Sequence, residues 1–479
     1  MNAKGKDKKE ILQTPKGMRD ILPEDYSYYS YIYDKLESIA KYYDFRPIQT
    51  PHLEKLSLFT RAVGETTDIV EKEMYNLKTK GKDHLTLRPE GTAPIMRSYI
   101  ANGMQSKPQP VLLYYKGSFF RHESPQKGRL REFQQFGLEI LGEKKGVAEA
   151  TTIKIFITAI QEMGGKDLIV HINSIGDKEC RSAYKKELVA YYRKKINHIC
   201  RDCKNRIKTN PLRLLDCKEE KCQEIKKEAP KMLDYLCQHC REHFKDTLEL
   251  LDAFEVPYIV DHTLVRGIDY YSRTVFEIFP VPMKPIEKEE IKEIPDDDKE
   301  VTSGDKEVVS DEKEDAQEED IVPEVKEVVL KEKGVISALA AGGRYDELGK
   351  ILSKKEIPSS GGAIGIERLI SFLKEGGVKP KAEKKPKIFF IQLGTSAKFK
   401  GFEITEKLRK AGIPISQSFT KEGLSDQLKI ASKLNIPYAV ILGQKEALEG
   451  SVILKNMDNR AQDTIPISEL VGIIKKKLK

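Results

Sequence analysis

Residues 111–141 read VLLYYKGSFFRHESPQKGRLREFQQFGLEIL. Two runs rich in β-branched and aromatic residues, Val111 to Phe120 and Phe133 to Leu141, flank a polar, basic loop that contains Gly128. That spacing predicts an antiparallel hairpin. At the end of the first run stand Arg121, His122 and Glu123, and the loop returns through Arg129, Arg131 and Glu132. A guanidinium can grip a phosphate through two parallel hydrogen bonds and neutralise charge as it gathers on phosphorus, which suits the strand end to phosphoryl chemistry.

Outward from the hairpin, the rest of the chain separates by pattern. Glu24 to Tyr43 follows Pro23, has acidic residues in its first turn and repeats Tyr29, Ile32, Tyr33, Leu36, Ile39 and Ala40 at helical spacing, so a helix is predicted there. Residues 177–255 are rich in Lys, Glu and Tyr at helical spacing and include all seven cysteines of the chain, which reads as a helical insertion. A strand is expected to restart near Tyr258 and to run through residues 266–271. Residues 386–479 alternate short apolar runs with helical patterns, as in a small α/β domain on a mixed sheet. The Lys-rich segment before it, punctuated by Pro380 and Pro386, is the expected linker.

Three further blocks stand out. RGIDYYSRTVF (Arg266 to Phe276) sets an arginine beside two tyrosines, a cation for phosphate next to aromatic walls for a flat substrate. AGGRYDEL (Ala341 to Leu348) and GGAIGIERL (Gly361 to Leu369) follow, and the glycines of the second allow close backbone approach to a nucleotide. With LRPEGT (Leu87 to Thr92) and the FRHE block, and in this order, they resemble the histidyl-tRNA synthetase family of class II aminoacyl-tRNA synthetases. The hairpin is similar to motif 2 of that class, residues 361–369 to motif 3, and Phe45 to Leu53, centred on Pro51, to motif 1.

The resemblance implies an α+β fold: an antiparallel-sheet catalytic core over residues 10–378, interrupted by the insertion, then a C-terminal α/β anticodon-binding domain over 386–479. It implies ATP with Mg2+, L-histidine and tRNA(His) as substrates and partners, a homodimer built through motif 1, and a place in protein biosynthesis. Glu90, Gly91, Thr92 and Gln135 would take the substrate ammonium group. Glu139 would accept the imidazole N–H, and Tyr270 or Tyr271 would serve the other ring nitrogen. Reading both nitrogens separates histidine from side chains of equal size. Arg121 and Arg266 would sit against the α-phosphate as the catalytic pair and also contact the histidine. Glu123 and Arg368 would bind ATP, with Arg368 at the γ-phosphate, and Gly342, Gly343, Arg344 and Tyr345 would line the pocket. In the motif 2 loop Ser124 stands where relatives commonly have an arginine, so acceptor-stem contacts would fall to Gln126, Lys127 or Arg129.

Cys200-x2-Cys203 and Cys237-x2-Cys240 fit tetrahedral coordination of a structural zinc, with Cys217 and Cys222 able to complete or compete for the site; free structural thiols are the other reading. The net charge is +8. Residues 281–333 alone hold 20 acidic against 9 basic residues, so the remainder of the chain carries +19, a surplus that favours a polyanion such as RNA. That acidic segment is expected to be a disordered loop. No run of eighteen apolar residues and no signal segment occurs, which predicts a cytoplasmic protein with no membrane contact. The alternative is a catalytically silent, histidine-sensing paralogue of the ATP phosphoribosyltransferase regulatory subunit type. The retained arginines and the C-terminal domain oppose it.

Overall fold

The computed structural model describes residues 12–125, 128–281, 337–380 and 385–478. Nearly all of the acidic 281–333 segment, and Gln126 and Lys127, lie outside these. The chain divides into two units, Met1–Pro380 and Lys381–Lys479.

The first unit is organised by an eight-stranded sheet. In chain order its strands are β1 (Arg46–Pro47), β5 (Val111–Phe120), β6 (Glu132–Leu141), β7 (Leu168–Ser174), β8 (Tyr258–Val260), β9 (Ser272–Pro280), β10 (Ala340–Arg344) and β11 (Ser359–Gly365). Their spatial order is β1-β5-β6-β11-β10-β9-β7-β8. Every pairing from β5 to β7 is antiparallel, and only the edge strands β1 and β8 pair in parallel. Three short strands, β2 (Leu53–Lys55), β3 (Asn76–Lys78) and β4 (His84–Leu87), form a separate sheet of order β2-β4-β3. The predicted hairpin is present as β5 and β6, ten residues each and paired throughout from Val111↔Leu141 to Phe120↔Glu132.

One face of the large sheet is covered by α1 (Pro23–Tyr42), α4 (Val147–Glu162) and α10 (Ile366–Glu375). Tyr114, Phe136, Leu138, Ile140, Ile364, Phe276 and Ile278 point into that layer and form one core with Ile32, Leu36, Ile153 and Leu369. The helix α1 forms as its pattern predicts, with Pro23 in the first turn, Glu24 and Asp25 at the positive end of the dipole, and Tyr29, Ile32, Leu36, Ile39 and Ala40 buried. The other face meets α2 (Leu56–Val63), α3 (Thr92–Ala101) and α9 (Asp346–Ser353) through a second core that includes Phe59, Tyr99, Tyr115, Phe119 and Leu348.

Between β7 and β8 the chain leaves as α5 (Lys178–Lys194), turns through α6 (Arg201–Thr209) and α7 (Glu220–Lys227), and returns along α8 (Gln238–Ala253). This insertion has its own core of Tyr184, Leu188, Tyr192, Ile207, Leu214 and six buried cysteines.

One expectation is corrected here. The strand near Tyr258 stops at Val260, and residues 261–271 form a loop before β9 begins at Ser272. Asp261 breaks the strand: its Oδ1 accepts the Thr263 N–H at 2.9 Å and the Thr263 hydroxyl at 2.8 Å, and the Leu264 N–H closes a turn on its carbonyl. A side chain that satisfies its own neighbours' donors competes with the ladder.

The second unit is a five-stranded mixed sheet of order β13-β12-β14-β15-β16. Its strands are β12 (Ile388–Gln392), β13 (Ile415–Gln417), β14 (Tyr438–Leu442), β15 (Ser451–Asn456) and β16 (Gln462–Pro466). The helices are α11 (Thr395–Lys410), α12 (Leu424–Lys433), α13 (Gln444–Glu449) and α14 (Leu470–Leu478). Four of the strands coincide with the apolar runs of the sequence. β16, with the burial pattern of an exposed edge, has little apolar signal to read. Among the described residues no helix is long and apolar enough to cross a membrane.

Candidate active site

Strand alternation assigns the side chains. On the face away from α1, α4 and α10, paired positions across five strands are Tyr115, Gly117; Gln135, Gly137, Glu139; Gly361, Ala363, Gly365; Ala341, Gly343; and Val275, Glu277. Most of that floor is glycine or alanine, and three long polar side chains, Gln135, Glu139 and Glu277, rise from it.

The vacancies are occupied by neighbours. A Cβ on Gly361 would lie 2.0 Å from Glu139 Oε2, and one on Gly137 or Gly91 would fall 2.2 or 2.4 Å from the Tyr115 ring. Such distances are far inside van der Waals contact. The glycines thus accommodate the Glu139 carboxylate and the Tyr115 ring.

Glu139 is fully buried. Its Oε1 accepts the Thr92 hydroxyl at 2.7 Å, and its Oε2 accepts the Tyr345 hydroxyl. Burial pushes its pKa up to about 8, against the two hydroxyls that favour the charged form, and the neighbouring charge of Glu90 adds to the rise. Glu90 is buried beside it and caps α3: Oε2 accepts the Thr92 N–H at 2.7 Å and Oε1 the Ala93 N–H at 3.0 Å. A carboxylate at a helix N-terminus meets free N–H groups and the positive end of the dipole. Tyr270 donates its hydroxyl to Glu90 Oε2 at 3.1 Å.

The loop before β9 brings Arg266 over the Tyr271 ring at 5.6 Å and pairs it with Glu277. Its side chain is 20% exposed, and Nε is buried without a hydrogen-bond partner. Burial lowers its pKa, but the charge of Glu277 and then the two tyrosines outweigh that and hold the guanidinium above its ordinary value.

At the hairpin end, Arg121 Nε donates to the Pro89 carbonyl at 2.9 Å and its guanidinium lies 5.4 Å from the Phe133 ring centre. Glu123 accepts Arg129 Nη1 at 3.2 Å. Arg368 reaches back from α10, with Nε on the Gly128 carbonyl at 3.1 Å and Nη1 on that of Ala338 at 3.0 Å. Glu367 turns the other way, accepting the Gln134 N–H at 3.0 Å and the Tyr29 hydroxyl at 3.2 Å.

Glu90, Thr92, Glu139, Tyr270 and Tyr345 therefore form one hydrogen-bonded group, and Arg266 with Tyr271 adjoins it. Arg121, Glu123, Arg129 and Arg368 gather at the hairpin tip. Two residues of the GGRY block fall elsewhere, correcting the pocket-lining expectation. Gly342 pairs with Phe276 and Gly362 on the helix-covered face, where its missing side chain makes room for the Phe276 ring. Arg344 is wholly buried in a bidentate pair with Glu149 of α4 at 2.7 Å, bonded also to Asp346 and to the carbonyls of Glu143 and Lys145. It fastens the sheet to α4. The period of two that places Gly343 and Tyr345 toward the pocket sends Gly342 and Arg344 away.

Sequence reasoning missed two contributors. Tyr115 fills the space above two glycines. Arg88 is buried with Nη1 on the Thr50 carbonyl at 3.0 Å, Nε on that of Ser118 at 3.0 Å, and its guanidinium 4.5 Å from the Phe119 ring centre. It ties the LRPEGT segment to β5 and to residues near Pro51. The signal for Tyr115 was available, since it stands two before Gly117 and faces Gly137 in any in-register hairpin.

The model of the family described as "Histidyl-tRNA synthetase" matches residues 17–284, and that of "Anticodon binding domain" matches residues 387–477. The histidine–tRNA ligase of Dehalococcoides mccartyi is 39% identical over 468 residues, 98% of this chain and 100% of the relative. The chain belongs to the histidyl-tRNA synthetase family. It is an aminoacyl-tRNA synthetase of α+β fold, a histidine–tRNA ligase. The ligase of Thermosipho melanesiensis is also 39% identical, across 95% of this chain and 97% of its own. Among solved structures, apo Staphylococcus aureus histidyl-tRNA synthetase superposes with a TM-score of 0.70 at 29% identity, covering 97% of this chain and 99% of that one. A structure from Bacillus halodurans C, described as an ATP phosphoribosyltransferase regulatory subunit/histidyl-tRNA synthetase, shares the fold at 19% identity and a TM-score of 0.57. Full-length likeness to the family's ligases disfavours the silent regulatory alternative.

Proposed function

We propose that L-histidine and MgATP react on the glycine floor to give histidyl-adenylate and pyrophosphate, and that the histidyl group then passes to the 3′ end of tRNA(His). The observation that carries the assignment to histidine is Glu139, a buried carboxylate that accepts two hydroxyls and has lone pairs left for an imidazole N–H. Tyr270 spends its hydroxyl on Glu90, which leaves Tyr271 for the second ring nitrogen. Glu90, Thr92 and Gln135 receive the ammonium group, with Gly91 keeping the backbone clear for Tyr115.

Arg266 and Arg121 flank the α-phosphate. The histidine carboxylate is already ionised and attacks phosphorus in line, so no general base is required. Negative charge that builds on the phosphate oxygens meets two fixed cations, which need no reorganisation at the moment of reaction. Pyrophosphate leaves with its magnesium, steered by Arg368 at the γ-phosphate and with Glu123 beside the nucleotide.

Residues 10–378 act as the catalytic unit and 386–479 as the anticodon-binding unit. The hairpin tip, through Gln126, Lys127 and Arg129, approaches the acceptor stem. The segment around Pro51 supplies the dimer interface, and the protein works in the cytoplasm. Histidine-dependent ATP–pyrophosphate exchange, run across all twenty amino acids and then with tRNA, tests the reading. Exchange with histidine alone followed by charging is expected; histidine binding without exchange would leave only a sensor.

A further inference from the structure

We propose that the insertion binds two zinc ions, one held by Cys200, Cys203, Cys217 and Cys222 and the other by Asp177, Cys180, Cys237 and Cys240. The two sites together take all seven cysteines of the chain. The sequence alone reads Cys200 and Cys203 together with Cys237 and Cys240, with Cys217 and Cys222 left to complete or compete for the site. Folding instead separates those pairs and gives each its own partners, with the ligand atoms of each group within 4.8 Å of one another.

The first group offers four cysteine sulfurs, and all four side chains are buried. Cys200 Sγ and Cys217 Sγ lie 3.8 Å apart, which is about the edge of a tetrahedron with bonds of about 2.3 Å. A disulfide would need about 2.05 Å. Backbone donors already point at the sulfurs: Cys203 N–H reaches Cys200 Sγ at 3.3 Å, and Cys200 N–H reaches Cys222 Sγ at 3.3 Å. A neutral thiol is a weak acceptor, whereas a metal-bound thiolate gains from such N–H groups.

The segment has a need for the cross-link as well. Helices α6 and α7 are only nine and eight residues long. Each buries one aliphatic side chain, Ile207 or Ile225, beside its cysteine. A core that small gains stability from a structural metal.

The second group joins the two ends of the insertion. Asp177 divides its carboxylate: Oδ1 caps α5 by accepting the Glu179 and Cys180 N–H groups at 3.0 Å. Oδ2 faces Cys240 Sγ at 3.2 Å and Cys237 Sγ at 3.6 Å. The Cys237 N–H reaches Cys180 Sγ at 3.1 Å, so the start of α8 is laid against the start of α5. One turn along α5, Arg181 donates Nε to the Asp177 carbonyl at 3.2 Å and Nη1 to the Tyr271 carbonyl at 2.9 Å. An ion there fixes the base of α5, and through Arg181 the backbone of a pocket tyrosine. The first ion's segment meets the loop before β9 more remotely, through Asn210 at the end of α6, whose Nδ2 donates to Asp269 Oδ1 at 2.9 Å.

The test uses the full chain purified without added metal and passed over a weak chelating resin. Mass spectrometry of the elements is expected to find two zinc ions per chain. Replacement by cobalt is expected to give thiolate-to-cobalt charge-transfer bands that saturate at two equivalents, a readout that needs no variant. Cys222→Ser and Cys240→Ser are each expected to lower zinc to one per chain. Cys240→Ser is also expected to raise the KM for histidine, by about tenfold, with kcat less affected. One zinc in the unaltered chain, disulfides among these cysteines, or seven thiols that titrate without releasing zinc would overturn the proposal.

Discussion

The two faces of the eight-stranded sheet come from the same strands and obey opposite rules. Toward α1, α4 and α10, alternate residues are Phe136, Leu138, Ile140, Ile364 and Phe276, large and without polar atoms, packed in one core. Toward the pocket, the intervening residues are Gly137, Gly361, Ala363, Gly365, Ala341 and Gly343, with carboxylates at Glu139 and Glu277. One face is stable because it is full. The other can bind because it is bare, and it can afford to be bare only because its partner face supplies the buried area.

That contrast can be broken from either side. The largest effect is expected at Arg266→Ala, which removes the cation paired with Glu277. Pyrophosphate exchange falls by roughly 10²–10³ or more, with circular dichroism and thermal midpoint near those of the parent. Near-normal exchange would remove the residue from the reaction. Phe276→Ala, on the helix-covered face, is expected to do the reverse, costing about 3–5 kcal/mol of stability in a denaturant titration while leaving the histidine KM of the surviving folded enzyme within a few fold. A strong rise in KM at unchanged stability would mean that the faces are not separable.

Gly361→Ala puts a methyl group where Glu139 Oε2 sits. The expected outcome is a rise of about tenfold or more in the histidine KM, with the KM for ATP changed much less; equal changes in both would argue for a collapsed floor.

Glu139→Gln sharpens the comparison through pH. The unfolded carboxyl titrates near 4.5 and the folded one near 8, so the native state binds the extra proton between these values. The stability contributed by protonated Glu139 is complete below about 4.5 and is lost as pH rises through about 8. In the absence of substrate the Gln variant is therefore expected to gain thermal midpoint over the parent progressively from pH 5 to 8, while losing histidine selectivity. A difference independent of pH would count against a buried, protonated carboxyl.

The smallest effect is expected from Tyr345→Phe. It deletes one of two hydroxyls on Glu139 and costs about 0.5–1.5 kcal/mol of net hydrogen bonding, read as a several-fold rise in histidine KM whose pH profile moves to the alkaline side. An unmoved profile would assign Tyr345 to packing.

Much of this was legible in the chain. The hairpin, α1 and four strands of the second unit follow from periodicity and from Pro, Gly and acidic punctuation, which are local properties. The family blocks marked Glu90, Thr92, Arg121, Glu139, Arg266, Tyr270 and Tyr271 as one constellation. The strand drawn through residues 266–271 failed because a side-chain turn at Asp261 outcompeted apolar content. Arg344 failed as a pocket residue because a signature was read as a unit when its members alternate.

By itself, then, the sequence determined the elements, their faces and the types of group available to the site, since each depends on residues within a few positions of one another. Tertiary structure alone decided the partners. Glu139 meets Tyr345 from a strand-to-helix junction 206 residues away, Arg344 finds Glu149 195 residues back, and Cys180 joins Cys237 and Cys240 from the other end of the insertion. Pairing across such separations is settled by sheet order and by which helices cover which face, and no local pattern encodes that.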